Sequence, residues 1–118
     1  MTTLAIIGDV HARLDHLQAV LTHLSFLEVD GLLLVGDLGS EDVTLARLRT
    51  DEGDARYLES VRRVLDLVAS TGLPFLWVPG NHDLPDVQGP GKVDRTGGTL
   101  GELRVSGIGG SGPHRHGF

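Results

Sequence analysis

Three short, uninterrupted apolar runs, separated by two segments of helical periodicity, constrain the fold of this 118-residue chain more than any other feature. The runs occupy residues 3–8, 32–35 and 74–78, and a glycine ends or soon follows each of them. Runs that are apolar throughout, rather than alternating, are typical of parallel strands that are covered on both faces. Between the runs, apolar residues recur at steps of three and four over residues 14–27 and 54–70, which predicts two amphipathic helices. The pattern predicts an α/β fold with a mainly parallel sheet and flanking helices, because right-handed crossovers assemble such units that way.

The second predicted helix has a clear apolar side and a charged side. Its apolar side is predicted to consist of Leu58, Val61, Val64, Leu65 and Val68. Residues 40–53, which precede it, are charged and at best partly helical. The pattern therefore predicts that this helix packs against the sheet through those five side chains.

The C-terminal third of the chain differs from the rest in residue composition and in the pattern of its apolar residues. Residues 85–101 are rich in glycine and proline and predict a long loop, whereas residues 103–108 alternate and predict a fourth strand at a sheet edge. No internal repeat and no linker is present, so residues 1–118 are predicted to form a single domain.

Composition excludes several classes of function. The chain has no cysteine, which removes disulfides, thiolate ligands and a cysteine nucleophile. Its net charge of −6 disfavours binding to extended nucleic acid, because a phosphate backbone attracts basic surfaces. No apolar run approaches the roughly 18–20 residues of a membrane span, so no membrane partner is expected. The N-terminal residues lack a basic region and a cleavage site, which predicts a cytoplasmic protein.

Polar side chains follow each of the three predicted strands, at the point where the strand ends. They are Asp9 and His11 after the first strand, Asp37 after the second, and Asn81, His82 and Asp83 after the third. In an open parallel sheet, ligands bind beyond the carboxyl ends of the strands, so these clusters are expected to converge. Carboxylate, imidazole and amide oxygen suit divalent Mn, Fe, Zn, Ni or Co. A carboxylate from the central strand could bridge two such ions about 3.5–4 Å apart, the spacing used for displacement at phosphorus.

The ordered motifs Asp9-Val10-His11, Gly36-Asp37 and Gly80-Asn81-His82-Asp83 resemble the signature of the calcineurin-like metallophosphoesterases. The resemblance covers residues 3–83 and, more loosely, 103–110. It implies a phosphoesterase that hydrolyses small phosphomonoesters or phosphodiesters through a hydroxide activated by two divalent ions. It also implies that Asp9 and His11 bind the first ion, that Asp37 bridges both, and that Asn81 binds the second.

The resemblance implies catalytic roles for the two residues that follow Asn81. His82 would contact the substrate phosphate and act as general acid, or stabilise the charge that develops on the leaving oxygen. Asp83 would orient His82 through a hydrogen bond to its other ring nitrogen. The alternative for Asp83 is that it caps the turn that follows it.

The chain departs from the family pattern after Asp83. The pattern continues with an isolated histidine and a Gly-His-x-His motif, whereas this chain has only His114-Arg115-His116. We therefore predict an incomplete version of the family's α/β sandwich, truncated at the C-terminus, in which residues 114–116 form a loop. The alternative is that His114 and His116 fold back and replace the missing ligands.

Truncation would have two consequences. The second ion would retain only Asp37 and Asn81, and an apolar sheet edge would remain open for a second copy of the chain or for a companion chain. The competing hypothesis for function is accordingly a catalytically incomplete metal-binding fragment, or an assembly module that needs a partner chain.

Overall fold

A β-α-β-α-β unit followed by a β-hairpin makes up the fold. The computed structural model describes residues 1–40, 51–81, 83–84 and 86–110. Within them the elements are β1 (Leu4–Ile7), α1 (Leu14–Leu24), β2 (Gly31–Val35), α2 (Asp51–Ala69), β3 (Phe75–Val78), β4 (Thr96–Leu100) and β5 (Leu103–Gly107). The predicted order of strands and helices is confirmed for the described residues up to position 78. No helix among the described residues is long and apolar enough to cross a membrane.

Strands β1, β2 and β3 form one parallel sheet in that order. Ile7 lies beside Leu34, and Leu34 lies beside Trp77, so the three strands end nearly level with one another. The predicted parallel sheet is confirmed. Its level carboxyl edge brings the three following loops to the same side of the molecule.

Both helices pack on the same face of the sheet. This follows from the strand order, because two successive right-handed crossovers that advance in one direction place their helices on one side. The shared core consists of Leu17 and Leu21 from α1, Val61, Val64, Leu65 and Val68 from α2, and Leu32, Leu34 and Trp77 from the sheet. Each of these side chains contributes about 1.5–3 kcal/mol when fully buried, so this face carries most of the hydrophobic stabilisation.

The buried side of α2 differs from the prediction at one position. Leu58, which the pattern placed on the buried side, is 47 % exposed, whereas Tyr57 is 0 % exposed. The other predicted positions are buried, as expected. The prediction for Leu58 is therefore wrong. The reason is that position 57 reaches a buried polar partner that no local pattern reveals.

The opposite face of the sheet is covered in part by the antiparallel hairpin of β4 and β5. Gly98 lies against Leu76, since a Cβ atom on it would be 3.0 Å from a Leu76 methyl group, while Ile6 on β1 remains 68 % exposed. Strand β5 confirms the predicted fourth strand. Strand β4 corrects the prediction of a continuous loop over residues 85–101.

The segment between β3 and β4 runs along the outer edge of β3. Trp77 donates its backbone N–H to the Gly91 carbonyl at 2.9 Å and its indole N–H to the Pro90 carbonyl at 2.8 Å. Val93 in turn donates its backbone N–H to the Trp77 carbonyl at 2.9 Å. These bonds satisfy polar groups of the buried β3 strand and attach the hairpin to the sheet.

Candidate metal centre

Asp9, His11 and Asp37 converge at the carboxyl edge of the sheet. Each offers one ligand atom, and the three atoms all lie within 4.8 Å of one another. The Asp9 Oδ1 and His11 Nε2 atoms are 3.8 Å apart. The structure thus brings together the three residues that the sequence assigned to the ends of β1 and β2.

Backbone hydrogen bonds hold these two loops side by side. Beyond the last paired strand residues, His11 donates its N–H to the Asp37 carbonyl at 2.8 Å, and Ala12 donates to the Leu38 carbonyl at 2.8 Å. These bonds join the β1 loop to the β2 loop just beyond the sheet. Because the bonded groups include those of His11 and Asp37 themselves, the bonds fix the separation of the two side chains.

All three residues adopt the left-handed backbone conformation. The φ angles are 55° for Asp9, 47° for His11 and 55° for Asp37. Left-handed residues other than glycine are uncommon, cost of order 1–3 kcal/mol each, and cluster at functional sites. Their concentration in one cluster of acidic and imidazole side chains indicates a site whose geometry is maintained at the expense of local backbone energy.

Two glycines allow the β2 and β3 loops to touch. A Cβ atom at Gly36, which has a φ of 100°, would lie 2.7 Å from the Gly80 Cα atom. A Cβ atom at Gly80 would overlap the Asp37 carboxylate. The β3 turn is therefore pressed against Asp37, which brings the partly buried Asn81, the next residue after Gly80, close to the cluster. Its role as a ligand stays a prediction.

The cluster has a buried floor and an exposed rim. Asp37 is only 7 % exposed, whereas the Asp9 side chain is 80 % exposed and His11 lies between them. Ligand atoms bonded to one ion at about 2.1 Å lie no more than about 4.2 Å apart, so small side-chain rotations would close this group around a cation. Two carboxylates and an imidazole fit a first-row divalent metal in donor type.

Asp83 lies behind the cluster and is buried. Its carboxylate accepts four hydrogen bonds, from the backbone N–H groups of Leu38 (3.0 Å), Gly39 (3.1 Å) and Gly80 (2.9 Å) and from the Tyr57 hydroxyl (2.8 Å). The bond from Gly80 stabilises the β3 turn, which precedes Asp83, so the alternative that Asp83 caps the following turn stays a prediction. His82 lies outside the described residues, so the predicted Asp83–His82 hydrogen bond stays a prediction.

Tyr57 is a residue of this region that the sequence did not single out. Burial raises the pKa of its phenol, and the neighbouring negative charge of Asp83 raises that pKa further. The chain has one tyrosine, and a tyrosine within an apolar stripe usually needs a buried partner for its hydroxyl. The sequence could therefore have indicated that Tyr57 has a buried hydrogen-bond partner, but it could not show that the partner is Asp83.

A cleft of about 480 Å³ opens beside the three converging residues. Asp9 and His11 line it together with Arg13 and His16 from the start of α1, and the Arg13 guanidinium is a cation. The Arg13 guanidinium is 3.1 Å from His16 Nε2 and 3.6 Å from the Asp15 carboxylate. The cleft therefore offers positive charge next to a cation-binding group. The predicted ligand substitutes His114 and His116 lie outside the described residues.

An α/β protein with a candidate divalent-metal site at the carboxyl edge of a parallel sheet is the class that these features define. Residues 2–113 match the family model described as calcineurin-like phosphoesterase, and the chain belongs to that family. No curated protein and no solved structure matches the chain.

Proposed function

We propose that this protein is a metal-dependent phosphoesterase that hydrolyses phosphomonoesters or phosphodiesters. The observation that carries the proposal is the convergence of Asp9, His11 and Asp37, all in left-handed backbone, at the strand ends of a calcineurin-like phosphoesterase. Left-handed residues other than glycine cluster at functional sites, and a metal centre would account for three such residues of ligand type at one edge of the sheet.

The residues divide into distinct tasks. Asp9, His11 and Asp37 would hold one divalent ion, and Asp37, which faces the β3 turn, would share a second ion with Asn81. Divalent ions held there would polarise the phosphoryl oxygens and lower the pKa of a coordinated water. His82 is proposed to protonate the leaving oxygen or to stabilise its charge.

The substrate is proposed to be a small phosphate ester rather than extended nucleic acid. The cleft beside the converging residues has room for a compact molecule, and Arg13 would attract its phosphate oxygens. The net charge of −6 opposes binding of a long polyanion, while the cations of the site and Arg13 reverse the sign locally. We further propose a cytoplasmic location and, if the sheet edge is open, association with a second copy or a companion chain.

The test is hydrolysis of an aryl phosphodiester and an aryl phosphomonoester by the purified chain with added Mn²⁺. Asp37→Asn keeps the shape of the bridging side chain but removes its charge, and should abolish turnover and weaken Mn²⁺ binding measured by calorimetry. Asp86→Asn makes the same change at an exposed aspartate outside the site and should leave both unchanged.

The outcomes separate the two hypotheses for function. Turnover that Asp37→Asn and a chelator both abolish supports the enzyme. Mn²⁺ binding that depends on Asp37, without turnover of either ester, supports instead a metal-binding fragment that needs a partner chain. Equal Mn²⁺ binding by the native chain and the Asp37→Asn variant would contradict both.

A further inference from the structure

The geometry points to Tyr57 as a positioning residue that holds the Asp37 loop in its metal-binding conformation through the Asp83 carboxylate. The inference rests on the proposed function, because it assigns Tyr57 a role in metal binding at that site. Tyr57 lies on α2, and its hydroxyl donates to Asp83 and accepts the Leu84 N–H. Its effect would be indirect.

Asp83 connects the two loops that meet at the candidate centre. Its Oδ2 atom accepts from Leu38, the residue after Asp37, and from Gly80, the residue before Asn81. Its Oδ1 atom accepts from Gly39 and from Tyr57. One carboxylate thus ties the loop of the bridging ligand to the loop of the predicted ligand from β3, and its orientation sets the distance between them.

Tyr57 determines the orientation of that carboxylate. Among the described donors to Asp83, it is the one that comes from a side chain and from outside the two loops. Its hydroxyl also accepts the backbone N–H of Leu84 at 3.1 Å, so its proton is directed at Asp83. An ionised carboxyl accepts several hydrogen bonds at once, and the Tyr57 hydroxyl is one of the described donors that orient it.

The Tyr57 ring is fixed by packing and not only by its hydroxyl. A Cβ atom at Gly39 would lie 2.7 Å from the ring Cδ2 atom, so the absence of a side chain there lets the ring lie against the Asp37 loop. Val61, one turn further along α2, borders the same space. Replacing Tyr57 by phenylalanine therefore keeps the ring in its packing site and removes mainly the hydroxyl contacts to Asp83 and Leu84.

Without the hydroxyl, the Asp83 carboxylate loses the hydrogen bond that ties it to α2, and backbone donors of the two loops are left to orient it. The N–H groups of Leu38 and Gly39 would then be held less firmly, and Asp37 could leave the left-handed conformation that aims its carboxylate at Asp9 and His11. Removal of residues that orient metal ligands commonly costs 10- to 100-fold in metal affinity. For Tyr57→Phe we expect about a tenfold weaker Mn²⁺ affinity, the lower end of that range.

The test is calorimetric titration of Mn²⁺ into the full chain at a temperature at which every variant is folded. Tyr57→Phe is compared with Val68→Ala, which removes buried volume three turns further along the same helix and should reduce stability without touching the Asp83 contacts. The expected result is weaker Mn²⁺ binding for Tyr57→Phe and native affinity for Val68→Ala. A metal-independent loss of stability cannot produce that difference.

A second variant makes the result independent of Tyr57 alone. Asp83→Asn should weaken Mn²⁺ binding at least as much as Tyr57→Phe, and the double variant should be less affected than the sum of both, because the two residues act through one contact. Native affinity in Tyr57→Phe, equal weakening in Val68→Ala, or full additivity with Asp83→Asn would each overturn the inference while leaving the metal site intact. Failure of the native chain to bind Mn²⁺ would overturn the proposed function, and the inference with it.

Discussion

The stability of this protein in alkaline solution should depend on Tyr57 in a way that the structure defines. The Tyr57 side chain is fully buried, and its phenol donates to Asp83 at 2.8 Å. Burial, and then the charge of Asp83, raise the pKa of the folded phenol above its value of about 10 in an unfolded chain. The folded state therefore keeps the phenolic proton at a pH at which the unfolded state releases it.

The direction and size of the effect follow from proton linkage. Below about pH 10 both states hold the proton, so the contribution of Tyr57 to stability is complete. Above about pH 10 the unfolded state binds one proton fewer, and the free energy of unfolding falls by about 1.4 kcal/mol per pH unit. At neutral pH, Tyr57→Phe should cost about 3 kcal/mol, because it removes a charge-assisted hydrogen bond and leaves the Leu84 N–H without its acceptor. The native chain and the variant should then converge over about two pH units above pH 10.

The assay is urea unfolding of metal-free protein at several pH values, followed by fluorescence. Trp77 is the one tryptophan and is buried, and Tyr57 is the one tyrosine, so each reports without interference. Tyrosinate absorbance should appear together with the loss of native Trp77 fluorescence and not before it. Two results would refute the reasoning. One is a difference in free energy of unfolding between the native chain and Tyr57→Phe that stays constant from about pH 8 to 12. The other is formation of tyrosinate at about pH 10 while the protein is still folded.

Three further substitutions test the site and the packing. Gly80→Ala should weaken Mn²⁺ binding at least about tenfold in calorimetry, because its Cβ would overlap the Asp37 carboxylate, and native affinity would argue against Asp37 as a ligand. Arg13→Ala should raise KM for an aryl phosphate in initial-rate assays by about tenfold, with unchanged Mn²⁺ affinity, because it removes one hydrogen-bonded charge from the cleft. Gly98→Val should lower the free energy of unfolding by about 1–3 kcal/mol in urea titrations, because it would collide with Leu76, and native stability would place the hairpin elsewhere.

The parallel sheet could be predicted from sequence because each local signal agreed with the global fold. The predicted strands at 3–8, 32–35 and 74–78 differ by at most a residue or two from the observed Leu4–Ile7, Gly31–Val35 and Phe75–Val78. A short run that is apolar at every position has no polar face to present to solvent. A strand that is covered on both faces of the sheet is one of the few structures that bury all of its side chains. The glycines after the runs then place the loops.

Strand β4 could not be predicted because its sequence serves a distant contact. Thr96–Leu100 contains two adjacent glycines, which weaken an isolated strand and indicate a loop. In the fold, Gly98 lies over Leu76, where a side chain would collide, and Gly97 pairs with Ser106 in the hairpin. Glycine is required at position 98 because the hairpin packs on the parallel sheet there. Residues 96–100 form a strand because they pair with β5. Both causes are contacts with residues outside the segment, so its own sequence does not reveal them.

The burial of Leu58 on α2 was mispredicted for a related reason. Positions 57 and 58 differ by about 100° around the helix, and either residue can border a stripe that contains Val61, Val64 and Val68. Hydrophobicity favours leucine at the buried position. The structure buries Tyr57 because its hydroxyl completes the shell of Asp83, and that polar contact joins residues 26 positions apart.

The contacts of Asp83 account for how the loops of the candidate centre keep their conformation. Asp9, His11 and Asp37 each occupy left-handed backbone, which together opposes folding by several kcal/mol. Hydrogen bonds to a buried charged group contribute about 1.5–3 kcal/mol each, so the four that converge on Asp83 are of sufficient size to hold the Asp37 loop in that conformation. The bond from Tyr57 is the one that reaches into the hydrophobic core. Because that core also stabilises the sheet, the conformation of the Asp37 loop is coupled to the packing of the core, which is the arrangement that a preorganised site requires.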